Sequence, residues 1–340
     1  MSRVIRIGLV LLLISAGLAF IPIGGAEIAT SSSGISPVEV QNMDLAKYSA
    51  AAPGKPLRAL FIHHSCGGQL LAPAGASVGE ACIYESHPNG GNLRARLRAA
   101  GYEIHEASYG SVIGENTEVF DWAPKFRDQM DLLLTTDHQD RRYTDGRTNQ
   151  IVVFKSCFTS SRFVGEGEAP GNAEGPDLSL WNAKAALMTV RDQMARRPDV
   201  LFIYVTAPPL APKIPSDPLW KWAARRLLRK PQPMSAETLR TSGVLARRFN
   251  EWVTAPDGWL ADYHQHNVVV FDYFGILTEG NASGLSRHAS RDGTDSHPSA
   301  AGNERAALAF ETFINRAVRR AALVDPAPNT NNDGSQTAHP

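Results

Sequence analysis

Residues 57–68 read LRALFIHHSCGG, and this stretch decides the fold prediction. Leu57–Ile62 is a short, almost wholly apolar run, which predicts a strand buried on both faces of a sheet. Ser65 follows shortly after it, ahead of the two glycines Gly67 and Gly68. We expect flexible glycines to let the Ser65 hydroxyl stand at the edge of the sheet, where neighbouring backbone N–H groups would point towards an oxyanion.

Four more apolar runs follow along the chain, separated by segments in which apolar residues recur at helical spacing. Parallel strands need crossover helices, and these cover both faces of the sheet. The sequence therefore predicts an α/β fold, a three-layer α/β/α sandwich with a mostly parallel, five-stranded sheet. The predicted strands are residues 57–62, 102–107, 151–154, 200–205 and 268–271, and the predicted helices are 93–100, 181–196, 235–253 and a closing helix whose apolar stripe includes Phe310, Phe313, Ile314, Ala317, Val318 and Ala321.

Composition excludes several classes of protein. The chain has 340 residues, of which 43% are hydrophobic and 20% charged, so it can bury a core and is neither disordered nor collagenous. Its 34 basic and 34 acidic residues cancel, which argues against a general nucleic-acid binder. Three cysteines are too few for a disulfide-stapled mini-fold and too scattered for a zinc site. We predict no metal and no cofactor.

The two ends of the chain differ in composition from the centre. Residues 1–26 carry two early arginines, an apolar run and a small-residue site, which predicts a signal peptide or an N-terminal membrane anchor. Residues 27–56 are predicted to be a linker, 57–323 the globular domain and 324–340 a disordered tail. The domain is therefore expected outside the cytoplasm, secreted or periplasmic, with possible membrane attachment through the N-terminal segment.

Polar residues follow the predicted strands at the edge where ligands bind in parallel sheets. Ser65 follows the first strand, and the segment Asp292–Pro298 follows the last, with Pro298 expected in the first turn of the closing helix. A serine becomes a nucleophile when an imidazole takes its proton and a carboxylate orients that imidazole, and Ser65, His297 and Asp295 supply these groups. The other candidates at this edge are Gly110 and Gly114 after the second strand and Lys155, Ser156 and Ser160 after the third.

With these residues in place, the segment from Leu57 to about Phe313 resembles the SGNH (GDSL-type) hydrolases, which have a flavodoxin-like fold. The resemblance implies that Ser65 is the nucleophile, His297 the general base, and Gly110 or Gly114 the glycine of the second block. His63-His64 stands where the family has Gly-Asp, and Lys155-Ser-Cys-Phe158 contains no asparagine. Ser156 or Ser160 would then donate to the oxyanion, and Lys155 would add positive charge.

The aspartate stands two residues before the histidine, at Asp295, with Asp292 as the alternative orienting carboxylate. This spacing is similar to that of SGNH-like O-acetyltransferases of exopolysaccharide systems. The resemblance therefore implies a serine esterase that acts outside the cytoplasm on O-acylated glycans or other small esters. An O-acetyltransferase and a non-catalytic glycan-binding module on the same fold are the alternatives. The expected partner is a small-molecule or glycan ester and not a nucleic acid, and the oligomeric state is left open.

Three further features leave alternatives open. A metal hydrolase is one alternative, and its candidate ligands are His63, His64, His264, His266, Asp295 and His297. His264 and His266 precede the fifth strand, so they are expected at the edge of the sheet opposite to Ser65. Cys66 could form a disulfide with Cys157 or Cys82, or Cys66 or Cys157 could itself act as the nucleophile with His297. The basic amphipathic segment at 219–230 indicates a lid helix or a contact with a membrane surface or anionic polymer.

Overall fold

A computed structural model describes residues 45–214 and 234–325. The central sheet is formed by β1 (Leu57–Ile62), β4 (Tyr102–Ala107), β7 (Ile151–Lys155), β8 (Leu201–Val205) and β9 (Val268–Phe271). Its strand order is β4-β1-β7-β8-β9, and every neighbouring pair is parallel. This is the order of a flavodoxin-like doubly wound sheet, so the predicted fold class and all five predicted strands are confirmed.

Eight α-helices occur in the described ranges, with two-stranded hairpins attached around the sheet. The helices are α1 (Ser65–Leu71), α2 (Leu93–Ala99), α3 (Trp122–Asp128), α4 (Met130–Thr135), α5 (Leu180–Met194), α6 (Ala236–Thr254), α7 (Tyr273–Thr278) and α8 (Ala300–Arg320). The hairpins pair β2 (Val78–Glu80) with β3 (Ile83–Ser86), β5 (Thr136–His138) with β6 (Arg141–Arg142), and β10 (Ala289–Ser290) with β11 (Asp295–Pro298).

Alternate side chains of the sheet enter two separate hydrophobic cores. One face of β7 contributes Val152 and Phe154 to a core that also holds Trp122 of α3 and Phe249 of α6. The other face contributes Val153 to a core that also includes residues of α1, α2 and α8. Strands buried on both faces must be apolar at every position, which explains why the central strands show no polar alternation. The structure is thus the three-layer sandwich that the sequence predicts.

The closing helix begins later than the sequence suggests. Pro298 was expected in its first turn, but Asp295–Pro298 forms β11 and pairs antiparallel with Ala289–Ser290. The helix begins at Ala300, and the Ser299 side chain caps it by accepting a hydrogen bond from the Gly302 N–H. The expectation for Pro298 is wrong because the capping serine, one residue later, fixes the start of the helix.

The glycines after Ser65 also have a different role from the expected one. Gly67 and Gly68 lie inside α1 and neither has a positive φ. A Cβ on Gly67 would stand 2.3 Å from the His63 Cβ, and one on Gly68 would stand 1.9 Å from the Cys82 carbonyl oxygen. These glycines therefore allow close packing, and the prediction that they supply flexibility is wrong.

The end of the predicted linker is attached to the domain. Residues 45–47 form a 3-10 turn, and Leu45 is buried in the second core. The Arg319 guanidinium donates to the carbonyls of Ser49, Ala51 and Ala52, and the Asn315 amide donates to that of Ala50. Residues 45–52 are therefore held by α8 and do not behave as a linker. The predicted N-terminal segment, the rest of the linker, the basic segment at 219–230 and residues 326–340 of the tail lie outside the described residues.

Within the described ranges, none of the helices is both long enough and apolar enough to span a membrane.

Candidate active site

Ser65, His297 and Asp295 lie in a continuous line of hydrogen bonds. The Ser65 Oγ is 2.9 Å from the His297 Nε2, and the His297 Nδ1 is 2.7 Å from the Asp295 Oδ1. The same Asp295 oxygen accepts a 3.0 Å hydrogen bond from the His297 backbone N–H. This carboxylate therefore fixes the ring so that Nδ1 carries the proton and Nε2 faces the serine hydroxyl as an acceptor.

The sheet and two short elements position these side chains. Ser65 is the first residue of α1, and the extended backbone at His64 joins it to β1. His297 lies in β11, 232 positions further along the chain. Because β1 is near the centre of a parallel sheet, its carboxyl end and the loop after β9 meet at the same edge, as the topology predicts.

The Asp295 carboxyl is the orienting group at this site. Partial burial raises its pKa, but hydrogen bonds from the His297 backbone and ring outweigh burial, so that the pKa of Asp295 is lowered from its usual value. Arg291 stands 3.4 Å away on the other carboxylate oxygen. Asp292, the alternative carboxylate, has a left-handed backbone, and its carbonyl accepts from the Lys213 ammonium. In the described part of the chain no hydrogen bond joins Asp292 to His297.

His64 stands beside Ser65 with its ring held on two sides. Its Nε2 donates to the Gly114 carbonyl over 2.8 Å, and its ring stacks on Tyr109 with centroids 3.7 Å apart. Since a carbonyl only accepts, the Nε2 carries the hydrogen and the Nδ1 is the unprotonated nitrogen of the neutral ring. Burial lowers the pKa of His64, which favours that neutral form.

The preceding histidine belongs to a buried ionic network. The His63 Nε2 is 3.1 Å from the Glu106 carboxylate, and Arg94 binds the same carboxylate through two nitrogens at 2.6 and 2.9 Å. Burial raises the pKa of Glu106, but these partners outweigh it and lower the pKa to about 2. The His63 Nδ1 also lies 2.9 Å from the His64 carbonyl, so this network holds the backbone directly before Ser65.

A pocket of about 370 Å³ opens beside the Ser65 hydroxyl. Its walls come from α1, the loop after β4, the turn after β7 and β11. Three carboxylates line it, and within residues 45–214 and 234–325 none of them forms an ion pair. The lining residues are His64, Ser65, Tyr109, Glu115, Asn116, Thr117, Glu118, Asp121, Cys157, Phe158, Thr159 and His297.

The two glycines expected to donate to an oxyanion do not line this pocket. The Gly110 N–H donates to the Glu115 carboxylate at 2.7 Å, and the Gly114 N–H donates to the carbonyl and hydroxyl of Ser111. Gly114 instead contributes its carbonyl, which orients His64. Their N–H groups are therefore already satisfied.

The candidates after the third strand also point elsewhere. The Ser156 hydroxyl accepts from the Trp122 indole at 2.8 Å, and the Ser160 hydroxyl donates to Glu118. Lys155 is fully buried, its ammonium donates to the Ser156 carbonyl, and it faces the Tyr273 ring at 5.7 Å. The structure thus leaves these three residues outside the pocket.

Two neighbouring residues that the sequence interpretation missed do line the pocket. Asn116 is exposed, and its carboxamide has no hydrogen-bond partner in the described part of the chain. Thr117 is fully buried, and its hydroxyl is likewise unpartnered. The Ser65 N–H, in the first turn of α1, also has no partner there. An asparagine in the loop after the second predicted strand is the signal that could have indicated this donor.

The three cysteines are free thiols. Cys66 and Cys157 have their sulfurs 3.4 Å apart, and the Cys157 sulfur is 3.6 Å from the Ser65 Oγ. Cys82 instead accepts a hydrogen bond from the Tyr84 hydroxyl. Of the two pairings that the sequence left open, the structure brings together Cys66 and Cys157.

The metal-hydrolase alternative is not supported by any cluster of ligands in the described residues. His264 and His266 are exposed before β9, at the opposite edge of the sheet from Ser65. In residues 45–214 and 234–325, histidine, cysteine, aspartate and glutamate side chains form no group of three or more that could hold a metal ion.

Comparisons with known proteins find only weak similarities. No family model and no curated protein matches the chain. A tryptophan-to-isoleucine mutant of Axe2, an acetyl-xylooligosaccharide esterase from Geobacillus stearothermophilus, is similar at 14% identity and a TM-score of 0.35. A catalytic mutant of the same acetylxylan esterase is similar at 13% identity and a TM-score of 0.35. Each alignment covers 82% of this chain and 100% of the esterase chain, but similarity this low carries no argument about fold or function.

Proposed function

We propose that this protein is a serine esterase that acts by acyl transfer. The observation that carries the proposal is the Ser65–His297–Asp295 line, with 2.9 Å and 2.7 Å between the successive side chains. A strand-end serine and a histidine shortly before a helix are each ordinary alone. Their meeting at hydrogen-bond distance beside a pocket is the arrangement that nucleophilic catalysis requires.

In the proposed reaction His297 takes the proton of Ser65 while the Ser65 oxygen attacks the ester carbonyl. The tetrahedral intermediate collapses, His297 protonates the departing alcohol, and an acyl-serine remains. Water then attacks this acyl-serine with His297 as the base, which releases the acid and restores the Ser65 hydroxyl. Asp295 stabilises the imidazolium that forms in both steps.

The oxyanion needs donors that are not already engaged. We assign this role to the Ser65 N–H with Asn116 and Thr117, since the N–H groups of Gly110 and Gly114 are occupied. Loss of one such donor lowers kcat by about 10²–10³-fold in a well-characterised protease.

The pocket lining supports a hydroxyl-rich or small ester as the substrate. Tyr109 and Phe158 offer aromatic surfaces, while Glu115, Glu118 and Asp121 offer acceptors for hydroxyl groups. We therefore propose O-acylated glycans or other small esters, processed outside the cytoplasm as the N-terminal sequence predicts.

The proposal is tested with p-nitrophenyl acetate as a generic ester. We expect Ser65→Ala and His297→Ala each to lower kcat by at least about 10⁴-fold, because the triad residues act as a unit. Circular dichroism and thermal unfolding of both variants control for folding. Wild-type rates in both folded variants would refute the proposed triad, whereas a wild-type rate no higher than the uncatalysed rate would favour a non-catalytic glycan-binding module.

A further inference from the structure

Two thiols meet in the wall of the pocket because of the sheet topology. Cys66 is the second residue of α1 after β1, and Cys157 lies just beyond β7, the parallel neighbour of β1. Their sulfurs are 3.4 Å apart, whereas a disulfide requires about 2.05 Å. Closing the bond therefore needs a displacement of only about 1.4 Å, shared between two side chains.

The two thiols differ in access and in charge. Cys157 lines the pocket and is 6% exposed, whereas Cys66 behind it is fully buried. The hydrogen bond with the Cys66 thiol holds the pKa of Cys157 well below its usual value against the effect of burial, and the Lys155 ammonium adds to this lowering. Burial raises the pKa of Cys66. Cys157 is thus the more reactive, accessible thiol, and Cys66 is placed to complete the reaction.

The buried ammonium supplies a second argument for charge at Cys157. Lys155 is fully buried, and in the described ranges it forms no ion pair with a carboxylate. A buried charge requires a compensating partner, and the Cys157 sulfur is an acidic group whose charge Lys155 stabilises.

We infer that Cys66 and Cys157 form a redox-active pair, which a small-molecule disulfide oxidises to an intramolecular disulfide in the pocket wall. The Cys157 thiolate attacks one sulfur of the oxidant, forming a mixed disulfide and releasing one thiolate. Cys66 then loses its proton and attacks the Cys157 sulfur, which displaces the second thiolate. Counted from the two thiols, the protein loses two electrons and two protons, and the two released thiolates take up these protons and leave as two thiols.

Bridge formation would change the surroundings of the serine. In the reduced protein the Cys157 sulfur lies 3.6 Å from the Ser65 Oγ, so a thiolate competes with His297 for the hydroxyl proton and repels a developing oxyanion. A disulfide carries no charge and draws this sulfur towards Cys66. We therefore expect the oxidised form to be the faster enzyme, a consequence that rests on the proposed function.

The bridge itself is tested by mass spectrometry of the full chain, after incubation with oxidised or reduced glutathione and desalting. The oxidised sample is expected to lose two hydrogens, about 2 Da, to give a linked Cys66–Cys157 peptide, and to retain one free thiol at Cys82. Cys82→Ser should form the same bridge, whereas Cys66→Ser should stop at a glutathione adduct on Cys157. Three free thiols in the oxidised wild type, or a bridge that includes Cys82, would overturn the inference; neither result depends on the variants folding.

The effect on rate is measured with the same samples on p-nitrophenyl acetate. Removing one charge about 4 Å from the oxyanion predicts an increase in kcat/KM of about tenfold or more on oxidation. If the bridge forms and the Ser65-dependent rate is unchanged or lower, the assigned effect of the thiolate is wrong. If Ser65→Ala retains the wild-type rate in both forms, the proposed function fails while the mapped bridge stands.

Discussion

Replacement of Glu106 by glutamine tests how the protein holds the backbone that presents Ser65. The Glu106 carboxylate is 6% exposed and accepts two hydrogen bonds from Arg94 and one from His63. The variant keeps the shape of the side chain but removes its charge. Arg94 then loses the anion that compensates its charge, and breaking a buried ion pair in this way is destabilising.

The magnitude follows from the pKa of this carboxyl. The folded protein lowers the pKa of Glu106 from 4.5 to about 2, which corresponds to a stabilisation of about 3 kcal/mol above pH 5. Because the folded pKa is the lower one, this contribution is present above the unfolded pKa and is lost as the pH falls towards 2. Glu106→Gln should therefore be about 3 kcal/mol less stable than wild type at pH 7, and the two should converge at low pH.

Urea unfolding at pH 7, 5, 4 and 3 measures this difference in the free energy of unfolding. Glu103→Gln is the matched control, since Glu103 lies on the same strand but is 40% exposed beside Arg147, and its loss should cost less than about 1 kcal/mol. A Glu106→Gln variant that is as stable as wild type at pH 7, or that shows the same deficit at every pH, would refute this reasoning.

Three further predictions concern the site and the core. Asp295→Asn should lower kcat on p-nitrophenyl acetate by about 10⁴-fold while Asp292→Asn stays near wild type, and equal losses in both variants would contradict the assigned orienting role. Trp122→Phe should lower the free energy of unfolding by about 1–3 kcal/mol, because it leaves the buried Ser156 hydroxyl without its indole donor; unchanged urea unfolding would show that this hydrogen bond contributes nothing. Acetylthiocholine should be hydrolysed with about tenfold higher kcat/KM than its neutral isostere 3,3-dimethylbutyl thioacetate, because Glu115, Glu118 and Asp121 line the pocket and form no ion pair among the described residues. Glu115→Gln should reduce this ratio, and a ratio of one in wild type would contradict the prediction.

The strands could be predicted because their pattern is local. Val152 and Phe154 face one core and Val153 faces the other, so each central strand must be apolar throughout, and this pattern is visible in the sequence. Parallel pairing then places the residues after β1 and β9 at one edge, which is why the sequence alone links Ser65 with His297.

The surroundings of Ser65 could not be predicted because they depend on side-chain partners and on the conformation of the loop after β4. Glu106 lies in an amphipathic edge strand, and nothing in the sequence shows that Arg94 neutralises it. The sequence predicts Gly110 and Gly114 as donors, but their N–H groups bond within their own loop. Asn116 lies only two residues beyond Gly114, but its place in the pocket depends on how that loop folds.

Covalent labelling tests most directly whether His297 activates Ser65. A fluorophosphonate is expected to modify wild-type protein at one site, mapped by peptide mass spectrometry to Ser65, and to leave folded Ser65→Ala unlabelled. Labelling of His297→Ala should be at least about 10³-fold slower, because the serine hydroxyl then lacks its base. Modification at another residue, or equal labelling rates in wild type and His297→Ala, would contradict the catalytic assignment.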